Sequence, residues 1–393
     1  MRISELTCRH VQIPLKRKVK HASHERTNTD SIVVTCRLED GTLGWGEGLP
    51  RDYVTGDTIE SSLKLFNSTD WKTVLSQSIE SSSNAIDIVE KIRFPQIEQN
   101  PRDILGNPLR CAVELAILDA VSRSLNFPFA EYFTQIAGTE SLIAPQKKIR
   151  YSGIIASSTF KKVKWLCRLY RLAGFKQCKV KVGIQGVNDL ELLSLARKSL
   201  GPNISLRVDA NEAWKPEELA AKAKAFEQFE IVSIEQPVRH EDVEQLAEIR
   251  PNLSIAVMLD ESLCSLSDGQ HAIDHGLCDL FNIRLSKCGG LINSVKLAVM
   301  AQQAGLGFQL GSQVGETGIL SAAGRQFATT IGGWLAAEGS FDNFLVKERL
   351  TKDDLTFWID GTAKALKGPG LGMTVDTHAV DRVTLSTHSC SLA

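Results

Sequence analysis

Residues 1–48 carry two alternating runs of apolar and polar positions, MRISELTCRHVQIPL and DSIVVTCRLEDG, with Asp40-Gly41 as a hairpin turn. Such period-two runs predict a strand meander. Between them KRKVKHASHERTNT (16–29) is polar and basic and reads as a mobile loop. Helical periodicity follows over 57–66 and about 72–92, and is strongest in RDILGNPLRCAVELAILDAVSRSL, which Asn126-Phe127-Pro128 ends. From about 149 the pattern changes. Short apolar runs (IRYSGII, KQCKVKV, ISLRVDA, IVSIEQ, SIAVMLD, LFNIRL, GLGFQLG) alternate with helical stretches such as VNDLELLSLARKSLG and INSVKLAVMAQQAG. That alternation predicts parallel strands joined by crossover helices. The number of units favours a closed barrel over an open doubly wound sheet, and no G-x-G-x-x-G opens a helix. The eighth strand, around GGWLAAEGSF, has no clear pattern. Beyond about 350 the alternation lapses. ALKGPGLGMTVDTHAV reads as loop plus a final strand returning to the first domain, and the last dozen residues as a disordered tail.

Three consecutive predicted strands end in an acid: Asp209 in LRVDANEAW, Glu235 in VSIEQPV and Asp260 in AVMLDES, in steps of 26 and 25 residues. Acids repeated at one point of a barrel unit converge at one end of the barrel. There they repel unless a cation lies between them. Hard oxygen donors suit Mg²⁺ or Mn²⁺ rather than zinc; the competing role for each acid alone is to cap the next helix. Asn211 lies two residues past Asp209, placed to serve the metal or a substrate.

The series extends both ways. Upstream, Lys179 and Lys181 flank Val180, so both point to one face of a strand. Two adjacent ammonium groups disfavour each other's charge and push a lysine toward base chemistry. Downstream, Lys287 lies in FNIRLSKCGG as a second acid/base group across the mouth, and Glu316 in QLGSQVGETG closes the ring. His21, His24 and Arg26 lie in the basic loop, either solvated or forming a lid over an anionic substrate. His271 and His275, spaced i, i+4, fall away from the acids and read as surface residues.

Composition narrows the classes. Net charge is −1 and 43% of residues are apolar. No basic run suggests nucleic acid, and no 18-residue apolar stretch suggests a membrane span. Nine cysteines without a C-x-x-C pair read as buried, reduced thiols, so a cytoplasmic location is expected.

QCKVKVG, RVDANEAW, SIEQPV, LDES and NIRLSKCGG together resemble the enolase superfamily, and within it the muconate lactonizing enzyme subgroup of the mandelate racemase/muconate lactonizing enzyme type. The helix RCAVELAILDAVSRSLNFP and the segment GWGEG…YVTGDT add to the likeness. The resemblance implies an α/β fold: a modified TIM barrel, (β/α)7β, over about 131–349, with an N-terminal α+β capping domain over 1–130 completed by about 350–393. It implies Lys181 as base, Lys179 as the lysine that tunes it and Lys287 as the opposite base, with Mg²⁺ (or Mn²⁺) on Asp209, Glu235 and Asp260. Loops near 18–30 and 50–58, with Tyr53, would cover the substrate. Asp342, in Ser340-Phe341-Asp342, matches half of the Asp-x-Asp of dipeptide epimerases, and Arg284 stands where many relatives have lysine. The implied activity is α-proton abstraction from a small-molecule carboxylate to give an enediolate, in a homo-oligomer. Cycloisomerisation and racemisation or epimerisation stand level. A lyase (acid-sugar dehydratase or o-succinylbenzoate synthase-like) is the alternative, and a non-catalytic binding or scaffold barrel is the reading from a different class.

Overall fold

The computed structural model describes residues 1–20, 25–95 and 102–392. An antiparallel sheet opens the chain: β1 (Ile3–Lys20), β2 (Glu25–Leu38) and β3 (Leu43–Gly48). Alternation along β1 and β2 buries Leu6, Cys8, Val11, Ile13 and Ile32, Val34, Cys36, Leu38. Most of the stretch read as a loop over 16–29 is therefore strand, with Val19 opposite Arg26 and Lys20 opposite Glu25. Lys16, Arg17 and Lys18 are exposed, which is how this hairpin tolerates long basic side chains. His21 and His24 lie outside the described residues.

Helices α1 (Ile59–Ser68), α2 (Trp71–Val74) and α3 (Ser82–Glu90) precede the long α4 (Asn107–Ser124). The single helical run expected over 72–92 is broken where Ser81 caps α3, its side chain accepting from Asn84 N. Helix α4 lies directly on β3. A Cβ at Gly44, Gly46 or Gly48 would overlap the carbonyl oxygens of Ala116, Ala112 and Pro108, so the alternate glycines of GWGEG create the seat for the helix. Asp119 of α4 then accepts from Trp45 N (3.0 Å) and Leu371 N (2.6 Å), which ties the C-terminal segment back to this sheet.

After the short α5 (Glu131–Thr134) and β4 (Lys148–Arg150), seven parallel strands follow: β5 (Gly153–Ile155), β6 (Gln177–Lys181), β7 (Ser205–Asp209), β8 (Ile231–Glu235), β9 (Ala256–Leu259), β10 (Leu280–Ile283) and β11 (Gly307–Leu310). They pair in chain order. The crossovers are α6 (Phe160–Ala173), α7 (Asp189–Leu200), α8 (Pro216–Phe226), α9 (Leu246–Ile249), α10 (Leu266–Asp274), α11 (Leu291–Gln303) and α12 (Gly318–Thr330). The eighth position is the segment 335–338. Leu310 N donates to Ala336 O and Glu338 N to Leu310 O on one side, and Ser152 N donates to Ala337 O on the other. The cylinder therefore closes, giving a modified TIM barrel, (β/α)7β, beside an N-terminal α+β unit. IRYSGII is split: β4 leaves the barrel to pair with β12 (Thr362–Lys364), and only β5 enters it.

Past the short helices α13 (Asp342–Leu345) and α14 (Thr377–Val383), residues expected as a disordered tail form β13 (Thr384–Ser391), antiparallel to β1. Its Ser/Thr-rich sequence suits an edge strand with one exposed face. Among the described residues no helix is long and apolar enough to cross a membrane. Eight of the nine cysteines are buried and all are free.

The β3–α4 contact gives a direct test. Gly46→Ala forces backbone apart in a packed layer and should lower the unfolding free energy by about 3 kcal/mol, read as a shifted urea midpoint. An unchanged midpoint would mean that the helix does not sit on the glycines.

Candidate active site at the barrel mouth

Asp209 ends β7, Glu235 ends β8, and Asp260 follows β9 directly; Asp209 is the register partner of both Lys181 and Glu235. All three acids are buried. Around them the barrel gathers positive charge. Lys179 Nζ donates to both oxygens of Glu235 (3.0 Å each) and to Glu338 (2.8 Å), and lies 3.6 Å from Asp209. Arg207 reaches Glu338 (3.1 Å), Ser152 (2.8 Å) and Gln309. Asn282 (2.9 Å) and Gln309 (3.2 Å) also donate to Glu235. Arg284 bonds Asp260 and comes within 3.5 Å of Glu235.

These neighbours set the ionisation. Burial opposes charge on Glu235, but Lys179, Arg284 and Arg207 outweigh it and hold the carboxyl at about 2. Asp209 is raised by burial and by the charge of Glu235. The expectation that the lysine pair lowers its own pKa fails at Lys179. Burial does favour the neutral amine, but Glu235, Glu338 and Asp209 win and raise it above the ordinary lysine value. Lys179 is thus a fixed ammonium that binds acids together. Lys181 has a different setting: it donates to Asn211 Oδ1 (2.6 Å), lies 3.8 Å from Asp209, and keeps 21% of its side chain exposed.

Lys287 does not stand across the mouth as expected from its spacing. Its side chain is 0% exposed, and its ammonium donates to Asp260 O (2.6 Å), Asp260 Oδ1 (2.9 Å) and Asn282 O (2.9 Å). Burial lowers its pKa, but its three donors are all engaged. The cause is local. A helical turn follows β10, closed by Cys288 N donating to Arg284 O (2.9 Å), and Lys287 within it reaches back to Asp260. Arg284, two residues past the lumen-facing Asn282, is the cation of this segment that reaches the mouth.

Asn211 bridges the site, accepting from Lys181 and donating to Glu261 (3.3 Å). Burial, with Asp209 and Glu212, raises Glu261 to about 7. Burial raises Glu316 to about 8; it accepts from Gln313 N (2.6 Å) and lines a cavity with Tyr151, Leu285, Glu338 and Ser340. Asp342 is two residues further on. Both its oxygens are buried without a hydrogen bond, and burial and Asp354 raise its pKa. Arg26 stacks over Tyr53 with 5.5 Å from guanidinium carbon to ring centre. His271 and His275 are far from this group, His271 pairing with Glu244 at 2.6 Å.

Sequence reasoning passed over Glu338, Glu261 and Arg207, and also the junction with the first sheet. Buried Arg51 donates to Thr29 Oγ1 (3.1 Å), Asp30 O (3.1 Å) and Val314 O (3.0 Å). Buried Glu47 accepts from Thr317 Oγ1 (2.7 Å) and Leu320 N (3.0 Å) at the start of α12. The signal was present in GWGEG, where an acid in a strand buried on both faces needs a partner.

The three strand-end acids have the hard-oxygen chemistry of a Mg²⁺ site. Among the described residues, no three acidic, histidine or cysteine groups are close enough together to grip an ion, and Arg284 supplies the positive charge between Glu235 and Asp260. The donor set fits a divalent cation once Arg284 releases Asp260.

Comparison with known proteins agrees with this geometry. The chain is 29% identical over 332 residues to an N-succinyl-L-Arg/Lys racemase of Bacillus cereus, covering 82% of this chain and 83% of that protein. It is 26% identical over 329 residues to a hydrophobic dipeptide epimerase of Enterococcus faecalis (82% and 86% covered). Its fold matches a Cytophaga hutchinsonii dipeptide epimerase, solved with Mg and D-Ala-L-Val, with a TM-score of 0.83 at 21% identity, covering 99% of this chain and 100% of that one. Residues 162–379, more than half of the chain, match the family described as Enolase C-terminal domain-like. This chain belongs to the enolase superfamily.

Proposed function

We propose that this chain is a Mg²⁺-dependent isomerase that removes the proton α to the carboxylate of a small molecule. The observation that carries the reading is the contrast on one strand: Lys179 is locked among acids, while Lys181 is reachable beside the strand-end carboxylates. Asp209, Glu235 and Asp260 would hold the cation, and when bound it supplies positive charge against the developing enediolate. Lys181 takes the α proton on Nζ. Asn211 orients it. Lys179 keeps Glu235 ionised and fixed. Glu316, with its pKa near 8, is protonated at neutral pH and can donate a hydrogen bond to a substrate oxygen.

The named activities of the relatives support amino-acid derivatives, dipeptides or N-acyl amino acids, as the substrate class. Asp342, with two unpaired buried oxygens, suits a cationic group of such a substrate. Arg26 and Tyr53 suit its far end. Residues 1–130 with 350–393 act as a cap on a catalytic barrel of 131–349, a division supported by the pairing of β13 with β1 and by the Arg51 and Glu47 clamps.

Three outcomes check these roles. Lys181→Met should lower α-hydrogen exchange in D₂O by roughly 10²–10⁴-fold with little change in melting temperature; retained exchange would remove Lys181 from its role. Lys287→Met should instead cost about 3 kcal/mol of stability by stripping a buried ion pair of one partner, read by denaturant titration. Saturating Mg²⁺ should raise the melting temperature of the wild type, since it binds only the folded state, but not that of Asp209→Asn. An equal rise in both proteins would place the cation elsewhere.

A further inference from the structure

We propose that proton transfer in this enzyme runs on one face of the substrate only, the face of Lys181, and that Arg284 stands on the other as a permanently charged guanidinium. The inference rests on the α-proton chemistry just proposed. It narrows that chemistry to reactions that do not invert the α carbon through a second amine.

Three observations converge. Lys287 is sealed: no part of its side chain is exposed, and three acceptors take its three protons. It is also held from outside, since its carbonyl accepts from Asn107 Nδ2 of α4 at 2.8 Å. Moving it to a substrate would break contacts in two layers at once. The second observation is the register of β10. Asn282 points into the lumen at Glu235, Ile283 is buried in the apolar layer, and Arg284 returns to the lumen side at the mouth with 12% of its side chain exposed. The third is an unmet donor. Arg284 Nε is buried without an acceptor, while its Nη2 spans Asp260 and Glu235. A guanidinium with a free N–H beside the reacting position is built to receive a carboxylate oxygen. It keeps its protons in proteins, so it serves as an electrostatic partner and not as a base.

The chemistry balances on one amine. Neutral Lys181 Nζ takes the α proton, and the C–H electron pair passes into the enediolate. If a β oxygen substituent leaves with that pair, Lys181 returns the proton to it and the product is an unsaturated acid. In reverse, a carboxylate oxygen adds to the β carbon of the unsaturated acid while Lys181 protonates the α carbon. When that carboxylate is the substrate's own, the product is a lactone, an isomer of the starting acid, with nothing oxidised or reduced. Interconversion of α epimers would need a proton from the opposite side, where the structure has Arg284.

The test uses the full chain with Mg²⁺ in D₂O and two epimer pairs, L-Ala-L-Glu with L-Ala-D-Glu and N-succinyl-L-arginine with its D form, followed by mass spectrometry and chiral chromatography. The expected result is α-deuterium uptake from one member of a pair with retained configuration, and a rise of roughly ten-fold or more in epimer interconversion on Arg284→Lys. Deuterium uptake with inversion by the wild type, at a rate comparable to exchange, would overturn the proposal. No exchange from any of the four by either protein would count against the amino-acid substrate class. A substrate-free measurement then decides the one-face claim. In reductive methylation of the folded wild type with formaldehyde and cyanoborohydride, mapped by peptide mass, Lys287 should react at least roughly ten-fold more slowly than Lys181, because it reacts only through local opening. Equal reactivity of the two lysines would overturn the proposal whatever the substrate.

Discussion

Charge neutrality in a site shielded from water is the constraint on which this molecule is arranged. Each ion taken out of water costs several kcal/mol even after relaxation, so the buried carboxylates at the end of the barrel must be matched. Asp209, Glu235, Asp260 and Glu338 face Lys179, Arg207, Arg284 and Lys287, with Lys181 at the edge of Asp209, so cations already match these acids. A divalent cation among the three strand-end acids therefore changes the count. A substrate carboxylate offsets part of that charge, and Arg284 has to give up Asp260 for the acid to face the ion. Of the cations involved, Arg284 is the one with room to do so: Lys179, Arg207 and Lys287 are almost wholly buried.

The network keeps its shape because the first sheet holds the loop beside it. Arg51 ties β2 to the carbonyl of Val314, and Glu47 satisfies the first amides of α12. Glu316 lies between these two clamps, which is why it is buried deeply enough to hold its proton near neutral pH. A helix start buried without such a partner would leave amides unpaired. The acid in β3 therefore does for α12 what a capping side chain does elsewhere, and it joins the two units at the point where the site needs rigidity.

How much of this was legible follows from what period and spacing can carry. Repeating strand–helix units fixed the barrel, and the near-constant step between Asp209, Glu235 and Asp260 placed the acids at one end. Two kinds of feature escaped. The eighth strand is only four residues long, so 335–338 has no pattern of its own, and Glu338 within it went unseen. The second is direction beyond a strand end. Spacing gave Lys287 a position near the mouth, but the helical turn after β10, closed by Cys288 N on Arg284 O (2.9 Å), decides where the side chain points. The usable signal was shorter: Asn282 and Arg284 are two apart, and period two should have carried the lumen face from one to the other. The polar tail misled for the opposite reason. Ser and Thr are weak evidence of disorder when an edge strand on β1 is vacant.

Two lysines separated by a single valine end in different roles, so position on a strand does not settle function; the depth of the neighbours does. Lys179 is at the level of Glu235 and Glu338 and becomes a structural cation. Lys181, one pleat higher, meets only Asn211 and the edge of Asp209. That difference in level is held by strained backbone. Asn211, Glu212 and Gln236 all take positive φ just beyond β7 and β8, a conformation that costs of order 1 kcal/mol or more for each non-glycine residue. Specific bonds hold them there: Gln236 Oε1 accepts from Asp260 N (2.8 Å) and Ser262 N (3.2 Å), and Asn211 N donates to Asp209 (3.0 Å). The left-handed turns re-aim side chains at the strand ends, so that carboxylates converge while Asn211 reaches back to Lys181. Relaxing them would recover local energy and spread the acids. The strain therefore persists because the ion network and the turns over-determine each other, leaving Lys181 as the least constrained amine of the group.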